Sequence, residues 1–546
     1  MSLRLTIILY FAVAFLAHGL LLLNDTHVAD GRFLNYYMQK GDLEPYLYML
    51  RTSGAYMYAW IHEGFGQVSM KFYKTVMFID ILINSGLIFF LFNRYSPLKR
   101  NHCLFIAFLA LVWPGYHVSV DTTFFPVWIV QTAFYLGWAI FLYQKEKGGH
   151  LILAVLAYFL MLVSFNYNAC LVYQFGFLGI YFLFLNGYPK NWVTLDFKTR
   201  VPAFIKSSWV LMTLPLLYWW VRQAYMMPYG SKLGYNEVRL ISTRTLEYSA
   251  SNVIHLFFDF LVSPFFLKAS IWIALILTAI GATWLFRKNF SGQSNLEDRA
   301  YYQNAIVLGF IAACCLALPF AAVAKHFELF NLSARHGILV APFFGLFLVG
   351  MVGYFLVKAG NRLARWENLI LCQIIIYLIF LDISLYSSWQ ARTVKDIAVS
   401  VQLKKLEPMP NVSVYLIRDH MPRGRHPYIR SEGNLLLYEA WGREEFIGII
   451  SLETDPQKMK KLVKQYVDLW IIKKDWSLAG STKFNPKGCV GELIISPRQE
   501  KNEILTAFKY TYYKIMANNK LNAFFENRAT VELKPLGIDT EGNPCV

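Results

Sequence analysis

The chain alternates apolar runs long enough to cross a bilayer with short polar connectors. The runs fall near residues 4–23, 74–93, 103–119, 124–143, 149–165, 169–187, 206–224, 268–286, 303–323, 337–357 and 368–387. A helix of about 20 apolar residues spans the hydrocarbon core, so the pattern predicts a polytopic α-helical membrane protein with about 11 transmembrane helices. Residues 4–23 are too long for the apolar core of a signal peptide and no convincing small-x-small cleavage site follows; they read as an uncleaved first span.

Two connectors depart from this rhythm. Residues 24–73 read as a loop and then a helical stretch, "LEPYLYMLRTSGAYMYAWIHEGF", whose Tyr, Met and Trp residues cluster on one side. That suits a helix lying in the membrane interface. Residues 225–267 end in "SNVIHLFFDFLVSPFF", too short and Pro-interrupted for a span, which predicts an interfacial or re-entrant piece. From about residue 390 the pattern changes. "NVSVYLI" and "GELIIS" read as strands, and "DPQKMKKLVKQYVDLW" and "NEILTAFKYTYYKIMAN" as amphipathic helices. Residues 1–389 are thus expected to form the membrane domain and residues 390–546 a C-terminal soluble α/β domain.

Composition agrees. The chain is 56% hydrophobic and 16% charged, where soluble domains carry roughly a quarter charged residues. A net charge of +17 would fit nucleic acid if it were clustered. Here Lys and Arg sit mostly in short connectors, where they act as topology signals, and no nucleic-acid partner is expected. Arg94, Lys99 and Arg100, then Lys145 and Lys147, Lys190, Lys198 and Arg200, Arg287, Lys288 and Arg299, and Lys358, Arg362 and Arg365 follow the even-numbered spans. The positive-inside rule makes those connectors and the N-terminus cytoplasmic, and puts the C-terminal domain outside. Of the seven cysteines, Cys103, Cys170, Cys314, Cys315 and Cys372 lie in apolar runs and read as packing residues. Cys489 and Cys545 lie in the tail, where a disulfide and two free thiols are both open readings.

Candidate chemistry gathers at the outer ends of the spans. Asp25, His27, Asp30 and Arg32 follow the first; His117 and Asp121 lie in "WPGYHVSVDTTFFPVW"; Arg244 lies in the long fourth outer segment; Lys325, Arg335 and His336 lie in "AKHFELFNLSARHG". Acids therefore concentrate early and bases late. A carboxylate can take a proton from an acceptor hydroxyl while cations stabilise a departing phosphate. The membrane would present the phosphate on a lipid, and the chemistry would be sugar transfer.

At these residues the chain resembles the GT-C-fold glycosyltransferases, the polyprenyl-phosphate-sugar-dependent class that includes protein mannosyltransferases and aminoarabinose transferases. "ADGRFLNYYMQKG" is similar to that family's Asp-containing first outer loop with its aromatic-rich helix, and "VDTTFFPVWIVQTAFYLGWAIFLY" to its second acidic motif before the fourth span. The long first outer segment resembles the family's juxtamembrane helices, and the likeness covers residues 1 to about 390. It implies Asp30 as catalytic acid or base, Arg32 as the cation after it and Asp121 as the second acid. Gly31 departs from the family's adjacent acidic pair. The resemblance further implies a polyprenyl-phosphate-linked sugar donor, a glycan, lipid or protein acceptor, membrane lipid around the chain, and a bacterial inner membrane with a periplasmic tail.

On this reading Asp30 and Asp121 are catalytic, and Arg32, Lys325, Arg335, His336 and Arg244 are the donor-phosphate candidates. Asp25, His27 and His117 are candidates for acceptor or metal binding; no metal site is firmly predicted and no cofactor is required, with a divalent cation (Mg or Mn) compatible. The rival readings are structural: Asp30 and Asp121 as helix caps, and the rest as solvated loop or surface charge. Asp80 and Asp382 are expected to find helix partners and are given no role. Two other function classes stay open. A surface-polysaccharide polymerase or ligase would work through an Arg/His outer loop such as "SARHG". A lipid-linked sugar transporter or flippase would need mid-span charge and repeat symmetry, and neither is evident.

Overall fold

A computed structural model of the protein describes residues 3–24, 28, 30–41, 53–65, 68–148, 150–167, 169–189, 197–225, 243–262, 278, 297–323, 325, 327–330, 332–360, 363, 366–421, 432–443, 446–453, 455–473, 488–498, 502–540 and 545. Every predicted span except 268–286 falls on a helix; that one lies outside the described residues, apart from residue 278. The chain is a polytopic helical membrane protein with a C-terminal α/β region: among the described residues, 7 helices are long and apolar enough to cross a membrane, beside three shorter apolar ones.

The first helix, α1 (Leu3–Leu23), leads to α2 (Asp30–Lys40) and α3 (Ser53–Phe65), which occupy the first long connector. Helices α4 (Met70–Tyr95) and α5 (Arg100–Leu111) follow. Next come two short 3-10 turns, Pro114–Val120 and Thr122–Phe124, and then α6 (Phe125–Lys147). The second half of the membrane region holds α7 (Leu151–Ser164), α8 (Ala169–Leu185), α9 (Phe197–Tyr225), α10 (Thr243–Val262) and α11 (Glu297–Ala322). A 3-10 stretch, Leu332–Val340, enters α12 (Ala341–Ala359), and α13 (Glu367–Leu403) is the last membrane helix.

Close helix packing in lipid depends on small residues, because apolar burial drives little association there. Helices α11 and α12 show this: a Cβ at Gly350 would lie 2.6 Å from the backbone nitrogen of Ile306, and one at Gly309 would strike that of Phe347. The helix at 243–262, in the segment expected to be interfacial or re-entrant, packs along α11. Ser249 donates to the Cys314 carbonyl at 2.6 Å and Asn252 to the Lys325 carbonyl at 3.1 Å.

Helix α13 runs unbroken through the expected domain boundary near residue 390. Its last turns bury Val394, Ala398, Val399 and Leu403 in the core of the C-terminal region. That region contains β1 (Val412–Asp419), α14 (Glu432–Trp441), β2 (Ile447–Ile450), α15 (Pro456–Lys473), β3 (Cys489–Pro497), α16 (Glu503–Met516), α17 (Leu521–Glu526) and β4 (Ala529–Asp539). The sheet order is β2-β1-β3-β4, with β1 parallel to β2 and β3, and β4 antiparallel to β3. Cys489 and Cys545 are joined in a disulfide, the first of the two alternatives open from sequence. The region is docked on the membrane helices: Lys514 of α16 donates to the Leu23 carbonyl at 2.6 Å, where a cation suits the negative end of α1.

Ionisable groups within the spans meet different fates. Asp80 of α4 accepts a hydrogen bond from Thr132 at 3.0 Å, the helix partner expected for it. Asp382 of α13 corrects the same expectation: it is fully buried, and neither carboxyl oxygen has a hydrogen-bond partner among the described residues.

A candidate site between the first connector helices and the 3-10 turns

The acidic and basic segments singled out in the sequence converge on the turn Thr122–Phe124. Its cap is Asp121, a buried side chain whose Oδ1 accepts from the Thr123 backbone N–H at 3.0 Å and from the Thr123 hydroxyl at 2.8 Å. Capping satisfies donors that the turn leaves without partners, so the helix-cap reading of Asp121 holds as geometry.

Helix α2 begins at Asp30 and its N-terminus abuts this cap. A Cβ at Gly31 would lie 2.8 Å from Asp121 Oδ1 and 2.9 Å from Thr122 Oγ1. A side chain there would have to displace the Asp121 carboxylate or the Thr122 hydroxyl, which favours glycine after Asp30. The buried Thr122 hydroxyl has no hydrogen-bond partner among the described residues. Tyr58 of α3 donates to the Thr122 carbonyl, which brings the Tyr-rich helix of the first connector to the same turn. Tyr58, Tyr73 and Phe125 pack their rings together beside it, with Tyr73 and Phe125 centroids 5.0 Å apart and Tyr58 and Tyr73 5.6 Å apart. Elsewhere on α3, Trp60 and Phe65 are exposed, as expected of a helix that meets lipid.

The basic side comes from the 3-10 stretch at 332–340. The Arg335 guanidinium lies over the Phe124 ring, 5.1 Å from its centroid, and its Nε donates to His336 Nε2 at 3.3 Å. Arg335 is half-buried and has no carboxylate partner among the described residues. His336 is buried, its ring 4.9 Å from that of Phe320. Lys325 is half-buried just beyond α11, its backbone N–H bonded to the Phe320 carbonyl at 2.9 Å.

Other candidates are placed differently. Arg32 is buried on α2, its guanidinium 3.1 Å from Asp396 Oδ2 and 3.7 Å from Glu439 Oε2. Burial works against its charge, but Asp396, Glu439 and Glu432 outweigh it and raise the pKa further above the usual arginine value. His117 uses both ring nitrogens on the protein: Trp389 Nε1–H donates to Nδ1 at 2.8 Å, and Nε2 faces the Leu329 carbonyl at 3.2 Å. These partners fit a neutral ring with its proton on Nε2. Arg244 is in the first turn of α10, and its side chain, like that of Asp30, lies outside the described residues; so do Asp25 and His27 entirely. Among the described residues no cluster of three or more His, Cys, Asp or Glu could hold a metal ion.

One residue at this edge went unnoticed in the sequence. Lys74, at the start of α4, is buried and donates to Asn24 at 2.7 Å (Oδ1) and 2.9 Å (carbonyl); Asn24 in turn donates to Thr393 of α13 at 2.9 Å. A lysine on the first turn of a span ordinarily reads as an interfacial anchor. Only its burial beside the end of α1 marks it.

No protein-family model matches the chain, and no curated protein does. Among solved structures the chain is similar to the crystal structure of ArnT from Cupriavidus metallidurans bound to undecaprenyl phosphate, with 13% sequence identity, a TM-score of 0.36, and coverage of 91% of this chain and 94% of that one.

Proposed function

We propose that the protein is an integral-membrane glycosyltransferase that moves a sugar from a polyprenyl-phosphate donor to an acceptor outside the cytoplasm. The observation that carries this reading is the convergence on one turn: Gly31 against Asp121 on one side, and Arg335 over Phe124 on the other. An acid-bearing edge and a cation with no carboxylate partner among the described residues are what sugar transfer from a lipid phosphate requires. The disulfide in the C-terminal region favours an oxidising compartment for that face, in keeping with the periplasmic side of a bacterial inner membrane.

In this mechanism Asp30 takes the proton of an acceptor hydroxyl as its oxygen attacks the anomeric carbon. The bond from that carbon to the phosphate oxygen breaks, and its electron pair leaves with the lipid phosphate. Inversion follows from the single displacement. Arg335, with Lys325 as a second cation, holds the phosphate as its charge grows, and Asp121 keeps the α2 N-terminus in place and orients the acceptor. The acceptor is a glycan, a lipid-linked saccharide or a protein. No cofactor is required by these steps.

The test is transfer by the purified protein in nanodiscs, comparing polyprenyl-monophosphate sugars with polyprenyl-diphosphate sugars. Transfer from the monophosphate donor, lost in Arg335→Gln, is the expected result. Transfer from the diphosphate donor alone would overturn this reading in favour of a polysaccharide polymerase or ligase.

A further inference from the structure

Helix α2 is held from behind as well as at its tip. Asp396, near the end of α13, bridges two arginines: its Oδ2 meets Arg32 at 3.1 Å and its Oδ1 accepts from Arg392 Nε at 2.8 Å. Arg392 also donates to Glu432 of α14 at 2.9 Å. All four side chains are almost fully buried. One turn further along α2, Tyr36 packs edge-on against Tyr438 of α14, with ring centroids 4.8 Å apart. So α2 is gripped between the cap at Asp121 and the junction of α13 with the C-terminal region.

We propose that Arg32 is a positioning residue and that the C-terminal region, through Asp396 and α14, sets where the N-terminus of α2 sits against Asp121. Arg32 lies one residue beyond Gly31, where the approach to Asp121 leaves no room for a Cβ. A shift of α2 at Arg32 is therefore transmitted to Asp30 and Gly31 with little slack. A buried charge whose partner is removed is strongly destabilised, so the network fixes α2 in one place instead of merely attracting it. Arginine suits this task, since its guanidinium keeps its charge when buried, and its Nη2 lies near both carboxylates, at 3.1 Å from Asp396 and 3.7 Å from Glu439. The C-terminal region thereby has a part in the site besides any contact with an acceptor. The role in catalysis rests on the glycosyltransferase reading; the mechanical link between α2 and the C-terminal region does not.

The test uses the full chain in nanodiscs with Asp396→Asn, Arg32→Gln, Arg32→Lys and Tyr438→Ala. Hydrogen exchange is read in peptides covering residues 30–40, beside donor KM and kcat. The link predicts exchange in α2 about tenfold faster or more in Asp396→Asn, and a smaller rise in Tyr438→Ala. It also predicts a fall in kcat with donor KM unchanged, and partial recovery of kcat in Arg32→Lys relative to Arg32→Gln. If Asp396→Asn does not fold, Tyr438→Ala carries the same test, because it removes a ring contact on the half-buried face of α14 and no charge. Unchanged α2 exchange in a folded variant would overturn the proposal. So would a rise in donor KM alone in Arg32→Gln, which would make Arg32 a phosphate ligand. If the wild type transfers no sugar while α2 exchange responds as predicted, the glycosyltransferase reading fails and the mechanical link stands.

Discussion

Arg32 and Arg335 sit in two segments that the sequence marks alike, each a guanidinium just beyond a span end. The fold treats them oppositely. Arg32 is buried between Asp396 and Glu439 and belongs to a five-residue ion network with Arg392 and Glu432. Arg335 is half-buried on the face of Phe124 and has no carboxylate beside it among the described residues. A guanidinium already neutralised by carboxylates has little to offer a phosphate, whereas one resting on an aromatic ring keeps its donors for an anion. The role follows from the surroundings, and residue type and spacing alone do not decide it.

Substitutions can break or sharpen this contrast. The largest effect on stability is expected from Asp396→Ala. It strands Arg32 and Arg392 together in a buried site and should cost about 3–5 kcal/mol, read as a fall in thermal midpoint in detergent. Arg335→Ala should leave the midpoint nearly unchanged and instead reduce transfer by about 10²–10³-fold, the scale of losing one preorganised charge partner of the transition state. If Arg335→Ala instead melts the protein and Asp396→Ala does not, the contrast is reversed.

Gly31→Ala comes next. The added methyl meets the Asp121 carboxylate and the Thr122 hydroxyl, both inside ordinary contact distance. Overpacking of this kind costs about 1–3 kcal/mol, and transfer should fall because α2 is pushed off its cap. The smallest effect belongs to Glu439→Gln. Partial desolvation raises the Glu439 carboxyl above the ordinary glutamate range, with Arg32 pulling the other way. For a raised acid the stabilising contribution is complete below the unfolded pKa, about 4.3, and is lost as pH rises through the folded value. Glu439→Gln should therefore change stability at neutral pH by no more than about 0.5 kcal/mol, and should flatten the decline between acid and neutral pH in a melting series.

The membrane half was legible because a bilayer demands an apolar run of fixed length wherever the chain crosses, and that demand is written locally. The turn at Asp121 was legible for a related reason: a polar group between two spans has few neighbours in sequence. The network at Arg32 was not, since Asp396 and Glu432 reach it only through the fold, and the residues of α13 beyond 390 read as the start of a separate C-terminal domain. The same polar stretch hid the continuation of α13, whose Val394, Ala398 and Leu403 are spaced as one buried face of a helix. In the C-terminal region β1, β3, α15 and α16 were readable from alternation and amphipathic spacing. The four-residue β2 and β4, which carries Pro535 on the sheet edge, gave too weak a period.

Asp30 carries the central claim. Sugar transfer from a polyprenyl-phosphate donor should be measured for the wild type and Asp30→Asn in nanodiscs, with folding checked by thermal melting. The account predicts transfer by the wild type and none above background by a mutant that melts like it. A folded Asp30→Asn protein that transfers sugar at the wild-type rate would contradict it.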